Sequence, residues 1–149
     1  MANKINEKTL LISGATGFIG TNFVLQWMRE ETEPVTVLDD LTYAGNRRNL
    51  ESVSSNPRFT FIKGDIGARD TVRKLLQETQ PRAIVNFAAE SHVDRSIHGP
   101  GEFVSTNIVG TFVLLDAALA MCRAWTDEAR AAWREAGVEA NALQHHDLL

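Results

Sequence analysis

Gly14, Gly17 and Gly20 fall three residues apart in SGATGFIG, directly after the apolar run TLLIS. Between a strand and a helix, such glycines make a tight turn and bring backbone N–H groups against an anion at the helix's positive end, as a diphosphate requires. The spacing is G-x-x-G-x-x-G, one residue off the usual dinucleotide fingerprint, so alone it also fits a plain strand-to-helix turn. Asp39 ends the run VTVLD, 19 residues after Gly20, where a carboxylate accepts hydrogen bonds from ribose hydroxyls. For Asp39 and Asp40 taken singly, the alternative is a solvated loop acid. Asp65, in KGDI, fits two readings equally: a flank for a base, or an Asx-type turn before Ala68. In NFAAESHVDRS, Ala88 and Ala89 are small enough to admit a ligand, and Glu90, Ser91, His92, Asp94, Arg95 and Ser96 place six polar groups within seven residues. A polar loop is usually only solvated, and His92 also suits a structural hydrogen-bonding role. At a strand's carboxyl end, however, such a cluster favours binding.

These residues need a scaffold that gathers strand ends. Short apolar, β-branched runs at Thr9–Ser13, Val35–Asp39, Phe59–Lys63 and Ala83–Phe87 read as strands buried on both faces, the mark of a parallel sheet. Helical patterns lie between them: Thr21–Glu30 puts Phe23, Val24, Trp27 and Met28 on one face, and Ala68–Thr79 does so with Val72, Leu75 and Leu76. The long link LTYAGNRRNLESVSSNP has room for one short helix, Asn46–Val53, before Asn56-Pro57 stops it. Phe103, Val104, Ile108, Phe112, Leu115 and Leu119 form a helical stripe over Phe103–Ala120, read as core ahead of interface. A further helix is expected at Thr126–Ala136, capped by Thr126 and stopped by Gly137. The fold class is therefore α/β: an incomplete Rossmann-type parallel sheet of about four strands, order 3-2-1-4, with helices on both faces.

Composition narrows the partners. The chain has 149 residues, 44% hydrophobic and 23% charged, with a net charge of -4, which is an ordinary globular make-up without a basic field for nucleic acid. A single cysteine, Cys122, excludes an internal disulfide framework and a Cys-rich zinc site, reads as a buried small hydrophobe, and fits a reducing cytoplasm. The best apolar run, FVLLDAALAM, is interrupted by Asp116 short of the roughly 18 residues a membrane span needs. A soluble, intracellular protein is expected. Asp39 favours NAD, because a 2′-phosphate would meet its negative charge; Arg47 and Arg48 keep NADP open as compensating cations.

GATGFIG, LDDLTYAGN, KGDI, NFAAESHVDRS and STNIVGT, in this order over residues 8–120, together resemble the extended short-chain dehydrogenase/reductases, and within them the dTDP-glucose 4,6-dehydratase family. The pairing of TYAGN with AAESHVDRS is far more specific than the glycines, and a sugar-nucleotide epimerase would differ in both segments. The resemblance implies NAD as cofactor, with Gly14, Gly17, Phe18, Ile19 and Gly20 around its diphosphate and Asp39, Asp40, Leu41 and Thr42 around its ribose. It further implies Asp65 and Ile66 beside the adenine, Phe87, Ala88, Ala89, Glu90 and Ser91 along the crevice, and Thr106 nearby, with Ser91 also toward a dTDP-glucose substrate. Asp40 departs from the family, where many members have lysine. The helix Phe103–Ala120 corresponds to one that often forms the homodimer contact in such enzymes.

The same resemblance implies a Tyr-x-x-x-Lys base and a Thr-Asp-Glu triplet after a fifth strand. The one tyrosine, Tyr43, has Arg47 four residues on; Thr126, Asp127 and Glu128 have no strand before them and read as a cap with a first helical turn. The adjacent His145 and His146 suit neither metal ligation nor a catalytic pair. No catalytic or metal-binding residue is therefore assigned. The expected organisation is a cofactor-binding portion at 1–122 and a divergent helical tail at 123–149, without a substrate domain. Such a chain is expected to be a truncated and inactive portion; a non-catalytic NAD-binding module and a fragment of another nucleotide-sugar epimerase or reductase are the alternatives.

Overall fold

In a computed structural model, which describes residues 9–135, four parallel strands form one sheet in the order β3-β2-β1-β4. These are β1 (Leu10–Ser13), β2 (Val35–Asp39), β3 (Phe59–Lys63) and β4 (Ala83–Asn86). The registers Leu10↔Val35, Val35↔Phe59 and Leu10↔Ala83 start all four strands level. Their carboxyl ends therefore emerge side by side.

Alternation along β1 builds two cores, because neighbouring strand residues face opposite ways. Leu10 and Ile12 join Val35 and Val37 under Val24 and Met28 of α1 (Phe18–Glu30), with Leu50. Leu11 and Leu38 face the other way, under Val72, Leu75 and Leu76 of α2 (Arg69–Thr79) and Val113, Leu114 and Ala117 of a later helix. Helices thus cover both faces, as expected. The end of α1 is tied down by Arg58, whose guanidinium donates to the carbonyls of Glu31 at 2.6 Å and Met28 at 3.0 Å. The short helix of the long link is a 3-10 helix, Arg47–Val53, opened by the Asn46 side chain accepting from Arg48 N.

Beyond β4 the structure departs from the sequence expectation in four places. NFAAESHVDRS is not loop throughout: α3 (Val93–His98) begins inside it. Next, α4 (Pro100–Phe103) runs through a π-helical segment, Val104–Gly110, into α5 (Thr111–Glu135). No new helix starts at Thr126. Its hydroxyl donates to the Cys122 carbonyl one turn back, at 2.9 Å, so it serves inside a continuous helix rather than as a cap. The expected stop at Gly137 and the pair His145 and His146 lie outside the described residues.

The third departure concerns the Phe103–Ala120 stripe. Ile108, Phe112, Leu115 and Leu119 are 50–64% exposed, whereas Val113, Leu114 and Ala117 are buried. Two apolar stripes share this helix, and the one facing the sheet is the other one. Cys122 is likewise exposed rather than buried. Finally, Pro100–Ala129 is long and apolar enough, by length and composition, to cross a membrane. Here it docks on the sheet through Val113, Leu114 and Ala117, and Asp116 bonds Arg69 at 2.6 Å and Arg73 at 3.3 Å on α2.

Candidate functional site

The loop from β1 to α1 crosses the end of the sheet because two glycines let it. Gly14 has φ +67°, the left-handed region that side-chain-bearing residues rarely adopt, and a Cβ there would lie 2.3 Å from the Ala88 nitrogen. At Gly20 a Cβ would lie 2.5 Å from the Gly14 carbonyl oxygen. Both glycines are therefore accounted for by the fold alone.

Gly17 is different. Its backbone is extended (φ -76°, ψ 175°), and a Cβ would meet only the Gly14 oxygen, at 3.7 Å. No protein atom requires a glycine there: the space its missing side chain leaves is open, and Gly17 lines the cleft at the strand ends. Gly17 is also the N-cap of α1, with no side-chain cap and no acid in the first turn. The first intrahelical bond is Thr21 N to Gly17 O, so the N–H groups of Phe18, Ile19 and Gly20 precede the ladder. Open space beside uncapped donors at a helix's positive end suits an anion of diphosphate kind. Phe18 and Ile19 turn their side chains outward, 85% and 67% exposed.

Asp39 stands at the end of β2, nearly buried. Its Oδ2 accepts from Thr16 N at 2.8 Å and its Oδ1 from Leu41 N at 2.9 Å. The carboxylate thus fixes the glycine loop to the loop after β2. Each oxygen can still accept a second hydrogen bond, and Asp39 lines the cleft, so both jobs fit one residue. Leu41 takes φ +57°, a strained value for leucine, held by that bond to Asp39. Gly45 completes the packing, since a Cβ there would lie 2.4 Å from the buried Thr16 hydroxyl.

Of the two readings of Asp65, the Asx-type turn is present. Its Oδ1 accepts from Gly67 N at 2.8 Å in an Asx-type turn, while the residue lines the same cleft. Across the cleft, Ser13 Oγ and Ala88 N both donate to Asn86 Oδ1, which fixes the chain leaving β4. The Asn107 carboxamide then grips Glu90 by both backbone groups: Glu90 N donates to Oδ1 and Nδ2 donates to Glu90 O, each at 2.8 Å. Tyr43 reaches over to donate its hydroxyl to Glu90 Oε2 at 2.9 Å. Desolvation first, and then the bond to the Glu90 carboxylate, raise the Tyr43 phenol above its ordinary range.

One open cleft at the strand ends therefore collects Gly14, Gly17, Asp39, Asp40, Thr42, Asp65, Ile66, Phe87, Ala88, Ala89, Glu90 and Thr106. Of the remaining site residues inferred from sequence, Phe18, Ile19 and Gly20 sit in the first turn of α1, Leu41 lies behind Asp39, and Ser91 is exposed just past Glu90. Thr16, Leu38, Ala44, Gly45 and Gly64 also line the cleft and were not singled out from sequence. A signal existed only for the glycines, which follow a strand (Gly64) and interrupt TYAGN (Gly45).

Known proteins resemble this chain closely. The family model described as GDP-mannose 4,6 dehydratase matches residues 11–131. A dTDP-glucose 4,6-dehydratase of Xanthomonas campestris pv. campestris is 52% identical over 126 residues, 85% of this chain and 36% of that protein. A dTDP-glucose 4,6-dehydratase of Streptomyces venezuelae, solved with NAD and TYD bound, superposes with a TM-score of 0.72 at 46% identity, covering 76% of this chain and 36% of that one. A UDP-glucose 4-epimerase of Thermotoga maritima, solved with UDP-glucose, gives a TM-score of 0.68 at 26% identity, covering 76% and 34%. The chain thus spans about a third of the length of the relatives it matches.

Proposed function

Because the chain belongs to the GDP-mannose 4,6 dehydratase family, we propose that its cleft is the NAD site of a dTDP-glucose 4,6-dehydratase, the enzyme class of its 52%-identical relative. The observation that carries this reading is Gly17: an open, unstrained glycine at an uncapped helix N-terminus, whose space the protein itself does not use. In this reading the donors of Phe18 and Ile19 hold the diphosphate, Asp39 and Thr42 hold the ribose, and Asp65 and Ile66 flank the adenine. Phe87 to Ser91 and Thr106 form the wall toward the nicotinamide and the sugar nucleotide, with Ser91 on the substrate side. The preference for NAD follows from Asp39, whose carboxylate is held in place by two backbone donors and would repel a 2′-phosphate.

When bound, NAD supplies a hydride acceptor that returns what it takes, as conversion of dTDP-glucose to its 4-keto-6-deoxy product requires. Neither a Tyr-x-x-x-Lys pair nor a Thr-Asp-Glu triplet is among the cleft residues; Tyr43 is spent on Glu90 and has Arg47 where a paired lysine would stand. These 149 residues alone should therefore bind the cofactor without turning over dTDP-glucose. A cytoplasmic location and a homodimer through the exposed Ile108, Phe112, Leu115 and Leu119 face of the Phe103–Ala120 helix belong to the same proposal. The division into a cofactor portion at 1–122 and a tail at 123–149 does as well.

The test is to follow backbone amide resonances during a titration with NAD. Shifts confined to Gly14–Gly20, Asp39–Gly45, Gly64–Ile66, Phe87–Ser91 and Thr106 are expected. Shifts elsewhere, or measurable 4-keto-6-deoxy product from dTDP-glucose, would contradict the assignment or the inactivity respectively.

A further inference from the structure

The cleft has two rims that come from non-adjacent strands. One follows β2 and carries Thr42, Ala44 and Gly45; the other follows β4 and ends at Glu90. β1 lies between these strands, so a ligand lying over its glycine loop passes between the rims. Among the described residues one side-chain hydrogen bond joins them, from the Tyr43 hydroxyl to Glu90 Oε2, between residues 47 apart in the chain.

Both ends of that bond are held. The Asn107 carboxamide fixes Glu90 through both of its backbone groups. On the other side, the Arg95 guanidinium lies 3.6 Å from the centre of the Tyr43 ring, and Arg95 bonds Glu102 at 3.1 Å. The His92 ring sits 5.7 Å from the same tyrosine. Three side chains of the segment after β4, Glu90, His92 and Arg95, thus converge on a residue that is 48% exposed and adds nothing to either hydrophobic core.

We propose that Tyr43 acts through Glu90 as a strap across the mouth of the cleft, retaining the bound dinucleotide and setting how fast it exchanges. This rests on the cofactor reading above and deepens it: a cofactor that takes and returns the same hydride gains from staying in place between turnovers. An exposed hydrogen bond and one cation–π contact are weak enough to open thermally, so the strap slows passage without blocking it. A strap that closes equally over an empty and a filled cleft slows entry and exit together and changes affinity little.

The test uses the 149-residue chain loaded with NADH, whose fluorescence is followed in stopped flow after a chase with excess NAD. Tyr43→Phe, which removes only the hydroxyl and keeps the ring against Arg95, is expected to release NADH roughly three- to tenfold faster, with association faster by a similar factor. Tyr43→Ala, which also removes the cation–π contact, is expected to be faster still. Thermal unfolding of Tyr43→Phe should match the parent, which separates a strap from a structural prop. Release at the parent rate in both variants would overturn the strap while leaving the cofactor site standing. Failure of the parent chain to bind NADH at all would overturn the cofactor reading and the strap with it.

Discussion

Gly17→Ala separates a ligand's space from a mere turn. At this position the added methyl meets only the Gly14 oxygen at 3.7 Å, an ordinary contact, and the backbone lies in a region open to any residue. The cost to folding is then only the weaker N-cap preference of alanine, up to about 1 kcal/mol. A diphosphate bound on the N–H groups at the start of α1 is expected to meet the methyl, because Gly17 is the N-cap of that helix and lines the cleft. Loss of one charge-assisted hydrogen bond costs about 1.5–3 kcal/mol, which weakens binding roughly ten- to a hundredfold. Calorimetric titration with NAD, paired with urea unfolding of the same sample, reads both quantities. Gly14→Ala is the contrast: left-handed strain of about 1–2 kcal/mol adds to a collision with the Ala88 backbone at 2.3 Å, so the fold itself should fail. If Gly17→Ala bound NAD as tightly as the parent, or unfolded as readily as Gly14→Ala, the open space at Gly17 would not be the ligand's.

Asp39→Asn should lower stability by about 1–3 kcal/mol, seen in the urea midpoint, because one end of the amide cannot accept and leaves Thr16 N or Leu41 N unpartnered in a nearly buried site. Its NAD affinity should fall as well; unchanged stability would show that those bonds are replaced by water. Leu11→Ala empties the centre of the core beneath α2 and α5, and a loss of about 2–5 kcal/mol is expected in the same assay. Leu115→Glu, at a side chain 64% exposed, should leave unfolding unchanged while shifting any dimer to monomer in sedimentation velocity. A dimer that survives the change must use another face.

Most of the sheet was legible because its signals are local. Val35–Asp39 and Phe59–Lys63 are the strands that their apolar runs indicate, since both faces of a covered parallel sheet need apolar side chains. Helix starts were harder. Phe18 begins α1 three residues before the apolar pattern does, because the first turn faces outward and carries no inward side chain to mark it. Thr126 has the chemistry of a cap, yet a hydroxyl can bond back one turn as easily, and sequence does not tell which.

On α5 the periodicity gave a helix but not its inward face, since Phe112, Leu115 and Leu119 repeat as well as Val113, Leu114 and Ala117. Only packing against Ile66 and Val72 decides between them. The site shows the same division. The glycines, Asp39, Asp65 and Glu90 announce themselves by type and position, whereas the reach of Tyr43 to Glu90 and the left-handed Leu41 depend on how distant loops meet.

Whether this cleft holds NAD is read from isothermal titration of the folded chain with NAD and, separately, with NADP. Saturable one-site binding of NAD and markedly weaker binding of NADP are expected, the difference arising at Asp39. No binding of either dinucleotide by a chain that circular dichroism shows to be folded would contradict the NAD assignment.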